Sequence, residues 1–231
     1  MSRLKILSGG AAQGLVASIA AKFKAMTGLD IEGEFGAVGA MAGKLRAGMP
    51  ADIVVLTAAM IAGLAQEDLV VSVSVADIGL VETAIAIRAG DPPVSVRDAA
   101  ALREAFLVAD AIFVPDINAS TAGIHVAKVL QQLGIADEVA ARLKIFPNGA
   151  TAMRNLAAST AIMPIGCTQS TEIISTSGVM LSGSLPRGCE LSTVYTAAVA
   201  TGAANPRGAQ DLIDLLIGIE QRDLRERAGF I

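Results

Sequence analysis

Three times within its first 66 residues the chain runs from a short strand, through a loop or turn, into a helical pattern. Leu4–Leu7 leads through Ser8-Gly9-Gly10 into a helix from about Ala11 to Met26, with Leu15, Ile19 and Phe23 four residues apart on one face. Asp30–Phe35 leads through Gly36-Ala37-Val38-Gly39 into a helix reaching Arg46, and Asp52–Leu56 opens on Thr57 and a helix to about Gln66. Strands that alternate with helices in this way form parallel sheets covered by helices, so the pattern predicts an α/β fold. In such sheets the loops at the carboxyl ends of the strands gather at one edge, where ligands bind.

The first loop invites comparison with a dinucleotide-phosphate loop. Read from Gly9, however, the middle glycine of Gly-x-Gly-x-x-Gly is replaced by Ala11, although Gly14 is in place and Glu34 stands about twenty residues on. The broken spacing leaves a tight turn or a different ligand as the alternatives, and no cofactor is expected.

The composition narrows the rest. With 53% hydrophobic residues in 231, the chain has ample core for one large domain or two small ones. A net charge of −4, no Trp, one Tyr and no basic run leave no electrostatic footprint for nucleic acid. Cys167 and Cys189 lack Cys-x-x-Cys spacing, so they read as core or loop thiols and no metal site is expected. No uninterrupted apolar run reaches the roughly 18 residues that span a bilayer, and the N-terminal residues lack the positive, apolar and small-residue segments of a secretory leader. As written the chain is expected in the cytoplasm, or in the periplasm if a leader is removed from the natural protein.

After Glu67 the pattern changes. Thr83–Arg88 reads as a longer strand followed by the rigid turn Gly90-Asp91-Pro92-Pro93, a candidate crossover into a second lobe. That lobe is expected to hold a helix at Val96–Ala105, a strand at Ala111–Val114, a helix from about Ala122 to Leu133 and a helix at Asp137–Leu143. A strand at Lys144–Phe146, the loop Pro147-Asn148-Gly149, a helix to about Ala158, a strand at Ala161–Ile165 and a short helix and strand over 170–186 follow. Ser192–Val199 is a strong β run, and Ala209–Ile217 begins the closing helix.

The runs Ile19-Ala20-Ala21-Lys22-Phe23, Glu34-Phe35-Gly36, Gly39-Ala40 and Gly48-x-Pro50-Ala51-Asp52-Ile53 resemble the molybdate-binding branch of type II periplasmic substrate-binding proteins. The likeness continues through Ala122-Gly123, Leu130–Ile135, Thr168-Gln169-Ser170-Thr171-Glu172-Ile173, Gly178-Val179, Leu185-Pro186 and Tyr195–Val199. It implies a two-lobed α/β fold, each lobe a β-sheet flanked by helices, with a ligand cleft between lobes. Residues 1–82 and 200–231 would form the first lobe. The second would be 83–199, including crossover strands near 83–88 and 192–199.

The resemblance also implies a small anion held by helix N-termini and loop hydroxyls. Helix starts at Ala11, Gly39, Ala122 and Ala150 would supply N–H groups and partial positive charge. In the molybdate binders the first two loops each donate a serine hydroxyl, and those places hold Ala11 and Val38 here. Each such bond to a charged group is worth on the order of 1.5–3 kcal/mol, so an organic carboxylate is expected in preference to an oxyanion. The candidate ligand-binding residues are Ser8, Gly9, Gly10, Ala11, Val38, Gly39, Thr57, Asn118, Ser120, Thr121, Ala122, Gly123, His125, Asn148, Gly149, Thr168 and Gln169. For Ser8, Thr57, Asn118, Ser120 and Thr121, local capping or turn chemistry is the alternative.

Two functions stay open. One is a binding protein for a small anionic ligand, with a transporter partner only if the chain is exported. The other is an enzyme like the aconitate isomerases related to this family, moving a double bond by proton transfer in a di- or tricarboxylate. For that chemistry His125, the lone histidine, is the first choice and Glu172 the second, with Asp116 a further carboxylate whose ordinary role is capping. No nucleophile elbow or Walker loop is present.

Overall fold

The computed structural model describes residues 3–231. It begins β1 (Arg3–Gly9), α1 (Gln13–Thr27), β2 (Asp30–Gly36), α2 (Val38–Arg46), β3 (Ile53–Thr57), α3 (Ala58–Gln66) and β4 (Ala76–Arg88). Then follow α4 (Ala99–Val108), β5 (Ala111–Pro115), α5 (Thr121–Gln132), α6 (Ala136–Val139), β6 (Leu143–Phe146) and α7 (Gly149–Ala157). The remainder is β7 (Pro164–Gln169), α8 (Ser170–Ile174), β8 (Val179–Ser184), β9 (Ser192–Val199), α9 (Pro206–Ile217) and α10 (Arg222–Arg227). The expected α/β alternation is therefore present, and the chain divides into two compact units.

The first unit is the chain up to Val81 together with Thr193–Ile231. Its sheet has β1 at the centre of three parallel strands, with β2 and β3 on either side, and β9 antiparallel beyond β3. Leu15, Ile19 and Phe23 of α1 are buried in the core with Leu4, Ile6 and Val54, as the four-residue spacing predicts. Asp52 is buried just before β3, where its carboxylate accepts from the Lys5 N–H at 2.7 Å and the Asn205 N–H at 2.8 Å. The Pro50-Ala51-Asp52-Ile53 run thus ties β1 to the approach of α9.

The second unit is Glu82–Ser192. There β7, β5 and β6 are parallel, and the later half of β4 runs antiparallel to both β7 and β8. Alternation sends Ile165 and Cys167 to the face covered by Val126, Val129 and Leu130 of α5, and the opposite face packs on Met153 and Leu156 of α7.

Several boundaries differ from those read in the sequence. The strand expected at Ala161–Ile165 is β7, Pro164–Gln169, all of it buried. A strand covered on both faces loses the apolar alternation that would mark its ends. The helix expected at Val96–Ala105 starts at Ala99, because the Asp98 carboxylate caps it by accepting from the Ala101 N–H at 2.8 Å. From Thr193 on, β9 belongs to the first unit, where it pairs with β3 from Thr57↔Tyr195 to Ile53↔Val199.

Candidate functional site

Helix starts divide the long helices into two kinds. Side-chain oxygens of Thr57, Asp98, Asn148 and Asn205 cap α3, α4, α7 and α9. The starts of α1, α2 and α5 have no side-chain cap. An uncapped first turn presents N–H donors without intrahelical acceptors and the positive end of the helix dipole.

In the first unit the uncapped starts of α1 and α2 leave from adjacent parallel strands, where Gly9 pairs with Gly36. Gly9 ends β1, and Gly10 and Ala11 lie in a buried 3-10 turn before α1. Val38 and Gly39 open α2, and the Val38 side chain and the Tyr195 ring both lie against Gly9. Ala11 and Val38 are buried and bring no hydroxyl to this edge. The Ser8 hydroxyl is buried and donates to the Gly9 carbonyl at 2.9 Å, while the Thr57 hydroxyl accepts from the Met60 N–H at 3.4 Å. The Thr57 hydroxyl thus caps α3, the alternative named in the sequence, whereas the Ser8 hydroxyl bonds to the neighbouring carbonyl and caps no helix.

Among the helices that follow the second unit's parallel strands, the starts of α5 and α7 differ in what meets them. The first turn of α7 faces a carboxylate of the protein itself. Buried Glu172 accepts from the Thr168 hydroxyl at 2.6 Å and from the backbone N–H groups of Gly149, Ala150 and Gln169. The Asn148 side chain accepts from the Thr151 N–H at 2.8 Å. Only glycine fits at 149, since a Cβ there would stand 1.8 Å from Glu172 Oε2 and 2.2 Å from Thr168 Oγ1. The start at Ala150, read in the sequence as an open anion site, is filled from within. Burial pushes the Glu172 carboxyl up from its ordinary value, and the four hydrogen bonds only partly offset this.

The start of α5 is open by comparison. Asp116 orders the loop before it, its carboxylate accepting from the N–H groups of Asn118 at 2.7 Å and Ala119 at 3.1 Å. Asn118 is exposed and buried Ser120 is the N-cap residue, with Thr121, Ala122 and Gly123 forming the first turn. Gly123 lets the helix press on the loop, because a Cβ there would lie 2.2 Å from the Asp116 carbonyl oxygen. His125, half-buried one turn in, makes a 2.8 Å hydrogen bond through Nε2 to the Cys189 carbonyl. That carbonyl can only accept, so Nε2 carries the proton.

Gln169 ends β7 on the face that α5 covers. It is 2% exposed, and neither its Nε2 nor its Oε1 has a hydrogen-bond partner. Thr83, absent from the residues picked in the sequence, lies directly opposite it in the β4–β7 register, and its buried hydroxyl is also unpartnered. Buried polar groups without partners are rare enough to need a cause, and a site for a ligand is one. In the sequence Thr83 is merely the polar start of an apolar run, and only the strand register gives it a neighbour.

Cys167 and Cys189 are buried and unpaired, and burial raises both thiols. No cluster of metal-ligating side chains occurs among the described residues, and none of their helices is long and apolar enough to cross a membrane.

Known proteins resemble the chain over nearly its whole length. An aconitate isomerase from Pseudomonas sp is 22% identical, over 99% of this chain and 87% of that protein. The periplasmic molybdate-binding protein of Azotobacter vinelandii superposes with a TM-score of 0.82 at 17% identity, covering 99% of this chain and 98% of that one. The sulfate-binding protein SubI of Mycobacterium tuberculosis H37Rv gives 0.77 at 18% identity, covering 100% and 86%. These two structures share the fold. Residues 4–231 match the family described as bacterial extracellular solute-binding protein, and the chain belongs to that family.

Proposed function

We propose that the protein binds a small organic anion, a carboxylate, at the open start of α5 in its second unit. The observation that carries this reading is the buried, unpartnered amide of Gln169 on the face covered by α5. Free N–H groups in the first helical turn suit a carboxylate, and the amide would supply further donors on the face that α5 covers. In the first unit, buried Ala11 and Val38 bring no hydroxyl to the loops where a bare oxyanion would need one, which supports an organic ligand. The likeness to molybdate- and sulfate-binding proteins supports anion binding as the general chemistry.

A thermal-shift series of di- and tricarboxylates against molybdate and sulfate tests the reading. A ligand at 100 times its dissociation constant adds about 2.7 kcal/mol, which raises the Tm of a chain this size by roughly 5–10 °C. Carboxylates are expected to give that shift. Stabilisation by molybdate or sulfate alone would refute the assignment.

The likeness to aconitate isomerase favours a second reading, proton transfer within a bound tricarboxylate. Glu172 has the buried, upshifted carboxyl of a proton-transfer group, although its oxygens already serve α7, and His125 is tied to Cys189. Proton NMR of aconitate with the protein in deuterated water separates the two. Solvent deuterium entering the ligand supports the isomerase, and unchanged ligand over many hours rules it out.

A further inference from the structure

Resting on that carboxylate-binding reading, we infer that the ligand carries a hydrogen-bond donor beside its anionic group, a hydroxyl above all, and that Gln169 and Thr83 read it. Ile165 and Cys167 of β7 lie in the core beneath α5, as does Ile85 of β4. Two residues further along β7, Gln169 takes the same face. Its cross-strand partner Thr83 stands beyond Ile85 in the same register, so the apolar face ends in two adjacent polar side chains. Directly opposed residues of antiparallel strands have Cβ atoms about 5 Å apart, close enough for one small molecule to meet both.

The valence of the pair sets the ligand's chemistry. Gln169 offers two N–H donors and a carbonyl acceptor, and Thr83 offers a hydroxyl that works either way. Turning the amide over exchanges its nitrogen and oxygen and changes nothing, because neither atom has a partner. A fully ionised oxyanion or simple carboxylate only accepts. It can take the amide N–H groups and the Thr83 hydroxyl, but it leaves the buried carbonyl of Gln169 unmet. A hydroxy acid meets all three at once, its carboxylate accepting and its hydroxyl donating. Leaving a buried acceptor unmet costs affinity by roughly tenfold to a hundredfold.

The test pairs acids that differ by one hydroxyl: citrate against tricarballylate, and malate against succinate, each titrated calorimetrically into the full chain near pH 7.5. The hydroxy acid of a pair is expected to bind at least about tenfold more tightly. Gln169→Met keeps the length and removes both the donors and the acceptor of the amide, so it is expected to weaken all four acids and to bring the ratio close to one. Thr83→Val, nearly isosteric, should lower the ratio severalfold and guards against a folding defect in the first variant. Equal binding of both acids by the natural sequence overturns the inference and leaves carboxylate binding standing, as does a ratio unchanged in Gln169→Met. Binding of none of the four acids overturns both.

Discussion

Replacing Glu172 by Gln tests whether the start of α7 is held by the protein's own carboxylate. Four donors converge on two oxygens: the Thr168 hydroxyl at 2.6 Å and the backbone N–H groups of Gly149, Ala150 and Gln169. The amide retains one acceptor oxygen and turns an NH₂ toward donors that the other oxygen served. Thr168 can rotate and accept from that NH₂, so the loss falls on the backbone N–H groups, which cannot turn. One or two buried donors left unmet, at about 1–3 kcal/mol each, give a destabilisation of about 2–4 kcal/mol. For a chain of this size that is a fall in Tm of roughly 5–15 °C.

The pH dependence of the same variant has a definite sign. Burial raises the folded-state pKa of Glu172 above the 4.5 of an ordinary glutamate, so the folded protein keeps a proton that the unfolded chain releases. The stability from this group is complete below 4.5 and is lost as the pH rises through the folded value. The amide does not titrate there. Urea unfolding of both proteins across pH 4 to 8 should therefore show the widest gap at the acid end, narrowing as the pH rises. A gap that widens with pH would mean that the hydrogen bonds outweigh burial and hold the carboxylate ionised. A variant as stable as the parent at every pH would refute the convergence of donors on Glu172.

Three further outcomes follow from the packing and the burial. Gly149→Ala places a methyl within 1.8 Å of Glu172 Oε2 and is expected to cost about 3 kcal/mol, measured by urea unfolding. Gly123→Ala meets the Asp116 carbonyl oxygen at 2.2 Å, and that backbone cannot swing aside. It should lose a similar amount and, by moving the start of α5, weaken calorimetric binding of carboxylates; unchanged affinity would count against this site. Cys167 is fully buried with its thiol raised, so native protein should label slowly with a thiol reagent and fully only after denaturation.

The sequence by itself determined the alternation of strands and helices, because hydrophobic periodicity and helix caps are local properties of a dozen residues. Ser192–Val199 was legible to the residue, a run of β-branched, aromatic and small residues. The start of β4 was not. Ala76–Val81 mixes polar and apolar residues, and its pairing within the sheet made it a strand. The family likeness and the loops at the carboxyl ends of the strands were legible from motifs of a few residues.

Tertiary structure alone decided which helix starts are open. The starts at Ala122 and Ala150 look equivalent in the sequence, each following a strand and a short polar loop. Folding brings Glu172, more than twenty residues downstream, onto the second and not the first. Register likewise set Thr83 opposite Gln169 across 86 positions of chain. A hydrogen-bonding group is met or unmet according to its neighbours in space, and those neighbours come from distant stretches of sequence that only the packed sheet brings into contact.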